Sequence, residues 1–600
     1  MKRGIFCLCL EILLAIGGAS AQTSNPESNS VSPGTWEGLW VAERYFGVQL
    51  DGPLTLQLTP DGWIAQVQGE RAVANRQVAD DGSVDWSFSF FDLGRFEGRQ
   101  SSKEQSITGH WIQPAANVYY YPFATPVTLK PVGANTFDGI LDPIRESYSL
   151  SIPLIAEDPD NPENPQRYRT YLRNPERNTG VYFRIETATV TDDDIRFSNS
   201  AGEVIGTAQI IDPGARFTLA HRGVMFEFTR ATRQTADGFY PRRSQKPVKH
   251  LLRPPETGDG WLTATPSESG LAAAPIVTLL NKVSAFEPKQ LREPYLHSLL
   301  VAHRGKLVVE EYFHGHHREM PHDSRSSGKT VVSALLGMAI HQGIISDVDQ
   351  PAYRFYGGVE AFANPDERKE RLTLRHLVTM TPGLACNDDD NNSPGNETTM
   401  QEQSAQPDWY QYALDLPMLN EPGEVGYYCT AGINLVGGAI SHAAGYSLAR
   451  FFHESFAAPL QLPYYRLNLS PRERAYMGGG IQLRPRDFLK LGQLFLNEGV
   501  WNGTRLVSRR WVKESAAAHA SLSAEDNYGF GWWRQTFDVD GQTISTYSAS
   551  GNGGQMLFVV PELELTVMIN AGNYSDGRTR GAMRDQILTE AVFPAAMEQK

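Results

Sequence analysis

Ser326 and Lys329 stand three residues apart in a polar, serine-rich stretch that passes directly into an apolar one. If Ser326 opens a helix, Lys329 lies on the same face about 4.5 Å further along the axis, so the amine and the hydroxyl can meet. An amine in that place can accept the hydroxyl proton and make the oxygen a nucleophile for acyl transfer. The stretch alone, however, favours a plainer interpretation, a helix cap with a surface lysine.

The apolar stretch is expected to form the helix that positions both side chains. Apolar residues recur there at three- and four-residue spacing, which predicts about four turns: Val332, Leu335, Leu336, Ala339 and Ile340. Gly343 offers a stop, and Ser327 should point away from Lys329. The unpaired backbone N–H groups at the start of such a helix favour an oxyanion beside Ser326.

The bulk properties of the chain indicate a globular protein of more than one domain. Its 600 residues exceed what one core normally supports. Hydrophobic residues make up 41% and charged residues 20%, which is typical of neither a disordered nor a membrane protein. The net charge of −14 argues against general nucleic-acid binding, so no nucleic-acid partner is expected.

The N-terminus has the pattern of a secretory signal. Two basic residues precede an apolar run from Ile5 to Ile16, and Ala19-Ser20-Ala21 has the small-x-small form of a cleavage site. The run is too short to span a membrane. Residues 1–21 are therefore predicted to be a signal peptide and residues 22–34 a polar leader. The protein is then exported, periplasmic or secreted, with no integral membrane segment after signal removal.

Cys386 and Cys429 are the two cysteines left once that signal is removed. Two cysteines in an exported chain could form a disulfide, and Cys429 adjoins Tyr428, a residue considered below. Closing that loop would stabilise the fold by roughly 4 kcal/mol. Two buried free thiols are the alternative, because the sequence gives no distance between the cysteines.

Residues 35–235 contain many short alternating runs separated by turn signals, without a long helical pattern. Leu54–Thr59 and Trp63–Val67, for example, flank a Pro60-Asp61-Gly62 turn. The pattern predicts an all-β accessory domain, either a closed antiparallel barrel or a sandwich. Such a domain could hold a small apolar ligand, but packing or association is the more conservative interpretation.

A basic, proline-containing stretch at residues 236–260 is predicted to be a linker, and residues 261–600 a second domain. Lys306–Phe313 and the apolar run before it predict a hairpin near the start of that domain. Four histidines follow the hairpin: His314, His316, His317 and His322. Because they lack a helical His-x-x-x-His spacing and an acidic residue in a fixed pattern, no metal site is predicted.

Further motifs follow Lys329 in an ordered series: Leu372–Leu384, Pro422-Gly423, Tyr427–Gly432, Gly478–Gly480, Pro485–Asp487, Tyr528–Trp533, Gly551–Gln555 and Val560–Glu562. This order resembles the serine β-lactamase-like hydrolase family, which includes class C β-lactamases, DD-peptidases, certain esterases and 6-aminohexanoate-dimer hydrolases. The resemblance covers roughly residues 270–595. It implies an α+β β-lactamase/transpeptidase-like domain, in which helices flank an antiparallel sheet and the active site lies between sheet and helices.

The same resemblance makes Ser326 the acylated nucleophile, Lys329 its proton partner and Tyr428 a second acid/base. A lysine can accept the proton only if its pKa is lowered, and a tyrosine can return a proton to the leaving group. Which of Lys329 and Tyr428 is the general base is left open. The backbone N–H groups of Ser326 and Asn552 are implied to form the oxyanion hole.

The chain departs from the family pattern at two motifs. The usual Tyr-x-Asn is Tyr428-Cys429-Thr430, and the usual Lys-Thr-Gly or His-x-Gly strand is Ala549-Ser550-Gly551. An amide is thus replaced by a hydroxyl, and no cation stands in the strand to pair with a substrate carboxylate. Both changes weaken the case for β-lactams. Thr430, Gly551 and Gln555 become candidates for the substrate cleft of an enzyme that hydrolyses esters or amides.

Together these observations predict an exported serine hydrolase that forms an acyl-enzyme with a small-molecule ester or amide and needs no cofactor. One alternative is a β-lactamase or an enzyme like a D-alanyl-D-alanine carboxypeptidase. A catalytically silent binding or scaffold protein that keeps the fold is the other. The motifs name neither the substrate nor the oligomeric state.

Overall fold

The structure is a computed structural model that describes residues 36–46, 50–115, 121–144, 147–157, 166–221, 223–236, 238–523 and 526–597. The predicted signal peptide and leader lie outside these ranges. Within them, no helix combines the length and the apolar character needed to cross a membrane.

Among the described residues, seventeen strands precede the predicted linker, and several of them have alternating buried and exposed side chains. They are β1 Gly38–Tyr45, β2 Gly52–Thr59, β3 Gly62–Val67, β4 Glu70–Val73, β5 Asn75–Val78, β6 Val84–Ser89, β7 Arg95–Gln100, β8 Ile107–Gln113, β9 Phe123–Gly133, β10 Thr136–Leu141, β11 Ser147–Ala156, β12 Arg167–Thr170, β13 Thr187–Val190, β14 Asp194–Ser198, β15 Val204–Asp212, β16 Arg216–His221 and β17 Val224–Ala231. A single turn of helix, α1 (Gly180–Phe183), precedes β13. The two strands expected around Pro60–Gly62 are β2 and β3, which confirms that prediction.

These strands form two β units. Eight close into a barrel in the order β1-β11-β12-β13-β14-β15-β16-β17. The nine strands from β2 to β10 form a separate open sheet that is inserted between β1 and β11. Tyr45, where the chain leaves the barrel, pairs with Ser147, where the chain returns to the barrel. The open sheet is therefore inserted at one place in the barrel. The prediction of a β-rich region with a barrel is confirmed, but the turn pattern did not reveal the second sheet.

Each β unit has its own aromatic core. In the barrel, the rings of Trp40 and Phe217 lie 5.2 Å apart, and Phe217 stacks on Phe228 at 4.9 Å. In the open sheet, Phe96 and Trp111 are fully buried. Both units therefore bury enough apolar surface to contribute to their own stability.

In the part of the chain that the structure describes, fourteen strands follow the predicted linker: β18 Leu262–Thr263, β19 Leu296–His303, β20 Lys306–Tyr312, β21 His322–Asp323, β22 Tyr465–Asn468, β23 Ile481–Leu483, β24 Val500–Trp501, β25 Thr504–Arg505, β26 Ala520–Ser521, β27 Asn527–Tyr528, β28 Trp533–Val539, β29 Gln542–Gly551, β30 Gln555–Val560 and β31 Leu565–Ala571. Nine of them form one sheet in the order β18-β20-β19-β31-β30-β29-β28-β27-β26. Its pairs are antiparallel except β18 with β20, which is parallel. The predicted hairpin near the start of this domain is β19–β20.

The helices of this part of the chain are α2 Pro266–Ser269, α3 Ala273–Ser284, α4 Gly328–His341, α5 Glu367–Glu370, α6 Leu374–Val378, α7 Glu397–Glu402, α8 Trp409–Asp415, α9 Thr430–Ala444, α10 Leu448–Phe452, α11 Pro485–Leu496, α12 Arg509–Ser515, α13 Gly577–Ile587 and α14 Phe593–Met597. One apolar cluster joins the sheet to α3, α13 and α14, and another joins it to α4, α9 and α11. Helix α4 is buried along most of its length, as expected of a helix with apolar residues on every side.

The open sheet of the N-terminal region continues into the second domain through main-chain pairing. Strand β9 pairs with β22, β22 with β23, and β23 with β21. Ile112 and Ala124 of the open sheet also belong to the apolar cluster that contains α4. Since β21 leads directly to the turn that carries Ser326, this shared sheet reaches the candidate site.

Candidate active site

Ser326 lies in a 3-10 turn, Arg325–Ser327, between β21 and α4. The carboxylate of Asp323 accepts a hydrogen bond from the Arg325 backbone N–H at 3.1 Å, and the Ser327 hydroxyl donates to the Ser324 carbonyl at 2.6 Å. Arg325 has a φ of 48°, in the left-handed region that side-chain-bearing residues rarely adopt. The turn is thus fixed on both sides of Ser326, and Ser327 points away from Lys329 as predicted.

Lys329 lies in the first turn of α4, and its side chain is fully buried. Its Nζ donates to Ser326 Oγ at 3.0 Å and to the carbonyl oxygen of Gly478 at 2.5 Å. Burial lowers the pKa of Lys329 from its ordinary 10.5, against the opposing charges of Glu397 and Asp388. The neutral amine, which can accept a proton, is favoured by this environment.

Tyr428 faces the same pair from the loop before α9. Its ring centre lies 4.9 Å from Lys329 Nζ, and the ring stacks on Trp533 at 5.6 Å. Burial raises the pKa of Tyr428 above its ordinary 10.0, although its hydrogen bond with Ser326 acts in the opposite direction. The phenol is therefore protonated at neutral pH, and the stacked indole fixes its orientation.

A disulfide fixes the loop that carries Tyr428. Cys386 and Cys429 are bridged, with their Cα atoms 5.3 Å apart. The backbone N–H of Asp388 donates to the Tyr428 carbonyl at 2.8 Å, and the Asp388 carboxylate accepts from the Thr430 backbone N–H at 2.7 Å. The bridge that the sequence left open is thus present, and it holds the acid/base loop.

Asp388 is a residue of this site that the sequence did not indicate. Burial raises its pKa to about 6, while the charge of Lys329 acts in the opposite direction. The other carboxylate oxygen accepts from the backbone N–H of Glu397 at 2.7 Å, at the start of α7. Asp388 belongs to an acidic, asparagine-rich stretch typical of a solvated loop, and its closeness to Cys386 is the one local sign of its position.

The end of β29 packs directly against the nucleophile turn. A Cβ atom on Gly551 would lie 2.4 Å from the Ser324 carbonyl oxygen, so only glycine permits this approach. Asn552 follows immediately and lines the same cavity as Ser326. Its side-chain oxygen accepts from the Ser575 backbone N–H at 2.9 Å. The structure therefore brings together the two residues predicted for the oxyanion hole.

Two predicted cleft residues lie away from the cavity. Thr430 is fully buried, and its methyl group faces Gly478. Gln555 is also fully buried, where its amide donates to the Ala571 carbonyl at 2.7 Å and accepts from Asn570 at 3.1 Å. In this structure both support the framework of the site, and neither is placed to contact a substrate.

The cavity at Ser326 has a volume of about 260 Å³ and is built by both parts of the chain. Tyr121 and Phe123, at the start of the open sheet's β9, and Arg177 of the barrel line it together with Ser326. The Tyr121 hydroxyl donates to the Gln401 carbonyl at 2.7 Å. The N-terminal region therefore forms part of the wall around the nucleophile.

Two arginines bring positive charge into this cavity. Arg177 and Arg325 pair with the same carboxylate, Asp323, at 3.2 and 3.1 Å. Asp323 and Glu397 balance the two guanidinium groups in formal charge, so the arginines offer cationic hydrogen-bond donors within a cavity lined by equal numbers of arginines and carboxylates. The family pattern places a cation in the strand at Ala549–Gly551, where this chain has none, and Arg177 reaches the cavity from the other domain.

Comparison with known proteins assigns the second domain to a family. The family model described as Beta-lactamase matches residues 294–589. These residues form a hydrolase domain of the Beta-lactamase family. The 6-aminohexanoate-dimer hydrolase of Paenarthrobacter ureafaciens is 22% identical over 335 residues, which are 53% of this chain and 81% of that protein.

Solved structures similar to this chain include two enzymes. EstCE1, a hydrolase with promiscuous acyltransferase activity, is 18% identical and has a TM-score of 0.41, covering 49% of this chain and 93% of its own. Simvastatin synthase from Aspergillus terreus is 18% identical with a TM-score of 0.42, covering 52% of this chain and 95% of its own.

Proposed function

We propose that this protein is an exported serine hydrolase that cleaves esters or simple amides through an acyl-enzyme on Ser326. The observation that carries the proposal is the contact of 3.0 Å between Ser326 Oγ and the buried Lys329 Nζ. A serine hydroxyl becomes a useful nucleophile only when a neighbouring group accepts its proton. The relationship to a protein named as a hydrolase supports turnover over binding alone.

In this mechanism, Lys329 is the base and Tyr428 the acid. The same burial lowers the pKa of Lys329 and raises the pKa of Tyr428, which favours the neutral form of both groups at the start of the reaction. Neutral Lys329 accepts the Ser326 proton as Oγ attacks the carbonyl carbon. The Tyr428 phenol donates its proton to the leaving oxygen or nitrogen and recovers one from Lys329. Water then releases the acyl group by the reverse transfers.

The oxyanion of the tetrahedral intermediate is held by the backbone N–H groups of Ser326 and Asn552. Support comes from the position of both residues on one cavity and from the nearby start of α4, whose dipole favours negative charge. The small cavity suits a short acyl group. Side-chain amides of Gln401, Asn468 and Gln482 line it, which favours polar substrates.

Export is supported by two observations of different kinds. The sequence of residues 1–21 has the pattern of a signal peptide. The Cys386–Cys429 disulfide lies beside the acid/base residue Tyr428, and structural disulfides persist in oxidising compartments. We therefore expect the site to assemble correctly in the periplasm or outside the cell, where the disulfide can form.

Active-site labelling tests the proposal. A fluorophosphonate probe should label the wild-type protein, and short-chain nitrophenyl esters should be hydrolysed. Ser326→Ala should abolish both activities, whereas Ser327→Ala should still be labelled, because its hydroxyl is bonded to the Ser324 carbonyl. Absence of labelling and turnover in the wild type would favour the silent binding protein instead.

The roles of Lys329 and Tyr428 are tested by rates and pH. Lys329→Ala and Tyr428→Phe should each lower kcat by on the order of 100- to 10,000-fold. In the wild type, kcat/KM should rise with pH through the lowered pKa of Lys329 and level off below pH 10.5. A rate that is independent of pH across that range would contradict lysine as the base.

A penicillin-recognising enzyme is the second candidate, favoured by one specific observation. Arg177 and Arg325 line the cavity beside Ser326 and offer the positive charge that β-lactam carboxylates require. Incubation with nitrocefin distinguishes the candidates. Rapid hydrolysis that is lost in Ser326→Ala would establish the β-lactamase activity, and its absence beside efficient ester turnover would support the esterase or amidase.

A further inference from the structure

Three histidines converge behind the nucleophile turn, on elements that are distant in the sequence. His297 lies in β19, His316 in the loop after β20, and His322 in β21. Their ligand nitrogens all lie within 4.8 Å of one another. We propose that His297, His316 and His322 form a binding site for one transition-metal ion, of which Zn²⁺ is the type best suited to neutral imidazoles.

The distances between ligand nitrogens in the cluster are close to those of a metal site. His297 Nδ1 and His322 Nε2 are 2.8 Å apart. The ring of His316 stacks on that of His297 at 3.9 Å, so it must rotate to point its in-plane lone pair at an ion held by the other two. Zn–N bonds of about 2.0–2.1 Å place two imidazole nitrogens about 3.4 Å apart in a tetrahedral site. If His297 Nδ1 and His322 Nε2 move apart by roughly half an ångström, the ion fits between these two nitrogens and replaces the proton that they share.

The hydrogen bonding of the cluster prepares the two close rings to bind an ion. His322 Nδ1 lies 3.2 Å from the Asp323 carbonyl oxygen, which fixes the proton on Nδ1 and leaves a lone pair on Nε2. His297 Nδ1–H donates to that lone pair. An ion in place of the shared proton moves the His297 proton to Nε2, and the Pro175 carbonyl is a backbone acceptor for this ring.

Burial and access both suit a bound ion. His297 and His322 are buried, which favours the neutral imidazoles that bind metals. His316 is partly exposed and lines a surface groove together with Glu310 and Glu311. An ion can enter by this groove, and water can take the fourth position.

The position of the site indicates a structural role. His322 adjoins Asp323, which binds Arg325 and begins the turn that carries Ser326. The ion would join β21 to β19, an interior strand of the nine-stranded sheet, and to the loop after β20. The ion would therefore stabilise β21, which leads into the turn that carries Ser326, without contacting the substrate. The sequence did not indicate the site, because His297 lies in the first strand of the hairpin, apart from the other histidines. Two of the histidines after the hairpin, His314 and His317, are not part of the cluster.

Metal titration of the full-length protein tests the proposal. Protein stripped with a chelator should bind one Zn²⁺ per chain by calorimetry, with a rise in Tm. His316→Ala should lose this binding, and His317→Ala, which removes an exposed neighbouring imidazole, should retain it. The Ser326→Ala protein should bind like the wild type, so the outcome does not depend on the proposed hydrolase activity.

Cobalt substitution provides a second readout that does not need a variant. Co²⁺ added to the stripped wild-type protein should give the visible absorption bands of a four-coordinate ion with imidazole ligands. If His316→Ala fails to fold, this spectrum decides the question alone. Absence of stoichiometric Zn²⁺ binding and of the Co²⁺ bands, or equal binding by wild type and His316→Ala, would overturn the site and leave a hydrogen-bonded histidine cluster.

Discussion

The two β units of the N-terminal region meet the hydrolase domain in different ways. The barrel has no free strand edge, since β17 pairs with β1, and its core among the described residues contains only residues between Trp36 and Phe228. It reaches the hydrolase domain through side chains, such as Arg177 to Asp323. The open sheet instead shares backbone pairing with β22 and contributes Ile112 to the hydrolase core.

This difference shows how strand edges decide whether an added unit stays independent. A closed barrel satisfies its own backbone groups and leaves no edge for another strand. An open sheet presents unpaired N–H and C=O groups that another strand can satisfy, and here β22 does so. We therefore expect the open sheet to be needed for the shape of the cavity and the barrel to contribute mainly charge.

The largest effect is expected from removing the open sheet. Residues 46–146 can be replaced by a two-residue turn, because Tyr45 and Ser147 are paired neighbours in the barrel. Loss of the wall containing Tyr121 and Phe123 should lower kcat/KM for nitrophenyl esters by on the order of 100-fold. Circular dichroism and solubility would check the fold, and a soluble variant with unchanged kcat/KM would refute the role of the sheet.

The next largest effects are expected from truncating one core side chain in the barrel and one in β22, the strand that pairs with the open sheet. Phe228→Ala in the barrel and Leu467→Ala in β22 each remove a fully buried side chain, and each should lower the free energy of unfolding by about 3 to 5 kcal/mol. Only Leu467→Ala should also reduce kcat/KM, because β22 borders the cavity wall. Equal loss of kcat/KM in both variants would show that the barrel is coupled to the site as strongly as the sheet.

Arg177→Gln should reveal the charge that the barrel contributes. A lost charge-assisted hydrogen bond is worth about 1.5 kcal/mol, so kcat/KM for an ester with a free carboxylate should fall about 10-fold. A neutral ester of the same length should be affected much less. If both substrates lose activity equally, Arg177 acts by holding Asp323 in place and not by recognising charge.

The smallest effect is expected for Tyr121→Phe, which removes only the hydrogen bond to the Gln401 carbonyl. The variant should lose about 1 kcal/mol of stability, with a modest rise in KM, as measured by denaturant unfolding and steady-state kinetics. Tyr45→Phe is a matched control, since Tyr45 is 49% exposed at the end of β1. A larger loss of stability for Tyr45→Phe than for Tyr121→Phe would contradict the expectation that the open sheet is more tightly coupled to the site than the barrel.

Some elements of both the hydrolase domain and the N-terminal region were predictable because their signals are local. The apolar periodicity after Lys329 predicted α4, although the helix begins at Gly328 and a 3-10 turn carries Ser326. Alternation around Pro60–Gly62 predicted β2 and β3. Such patterns depend on backbone geometry within a few residues, so they do not depend on which distant residues pack against them.

The division of the N-terminal region into a barrel and an open sheet was not predictable in the same way. Both units are made of short alternating strands with similar turns, and a turn pattern does not state which strands pair across the insertion between β1 and β11. The same limit applied to Thr430 and Gln555, which family position placed near the cleft and packing placed in the interior. Residue type and order do not fix which side of a packed element faces the cavity.

The sequence by itself determined the chemical groups of this protein: Ser326 with Lys329 one helical turn away, Tyr428 beside a cysteine, and Gly551 immediately before Asn552. Only the tertiary structure decided what surrounds them. Arg177 and Tyr121 reach the cavity, and Asp388 reaches Lys329, through contacts between distant parts of the chain. Covalent spacing fixes which groups share one turn, but burial and charge around those groups arise only when separate elements pack together.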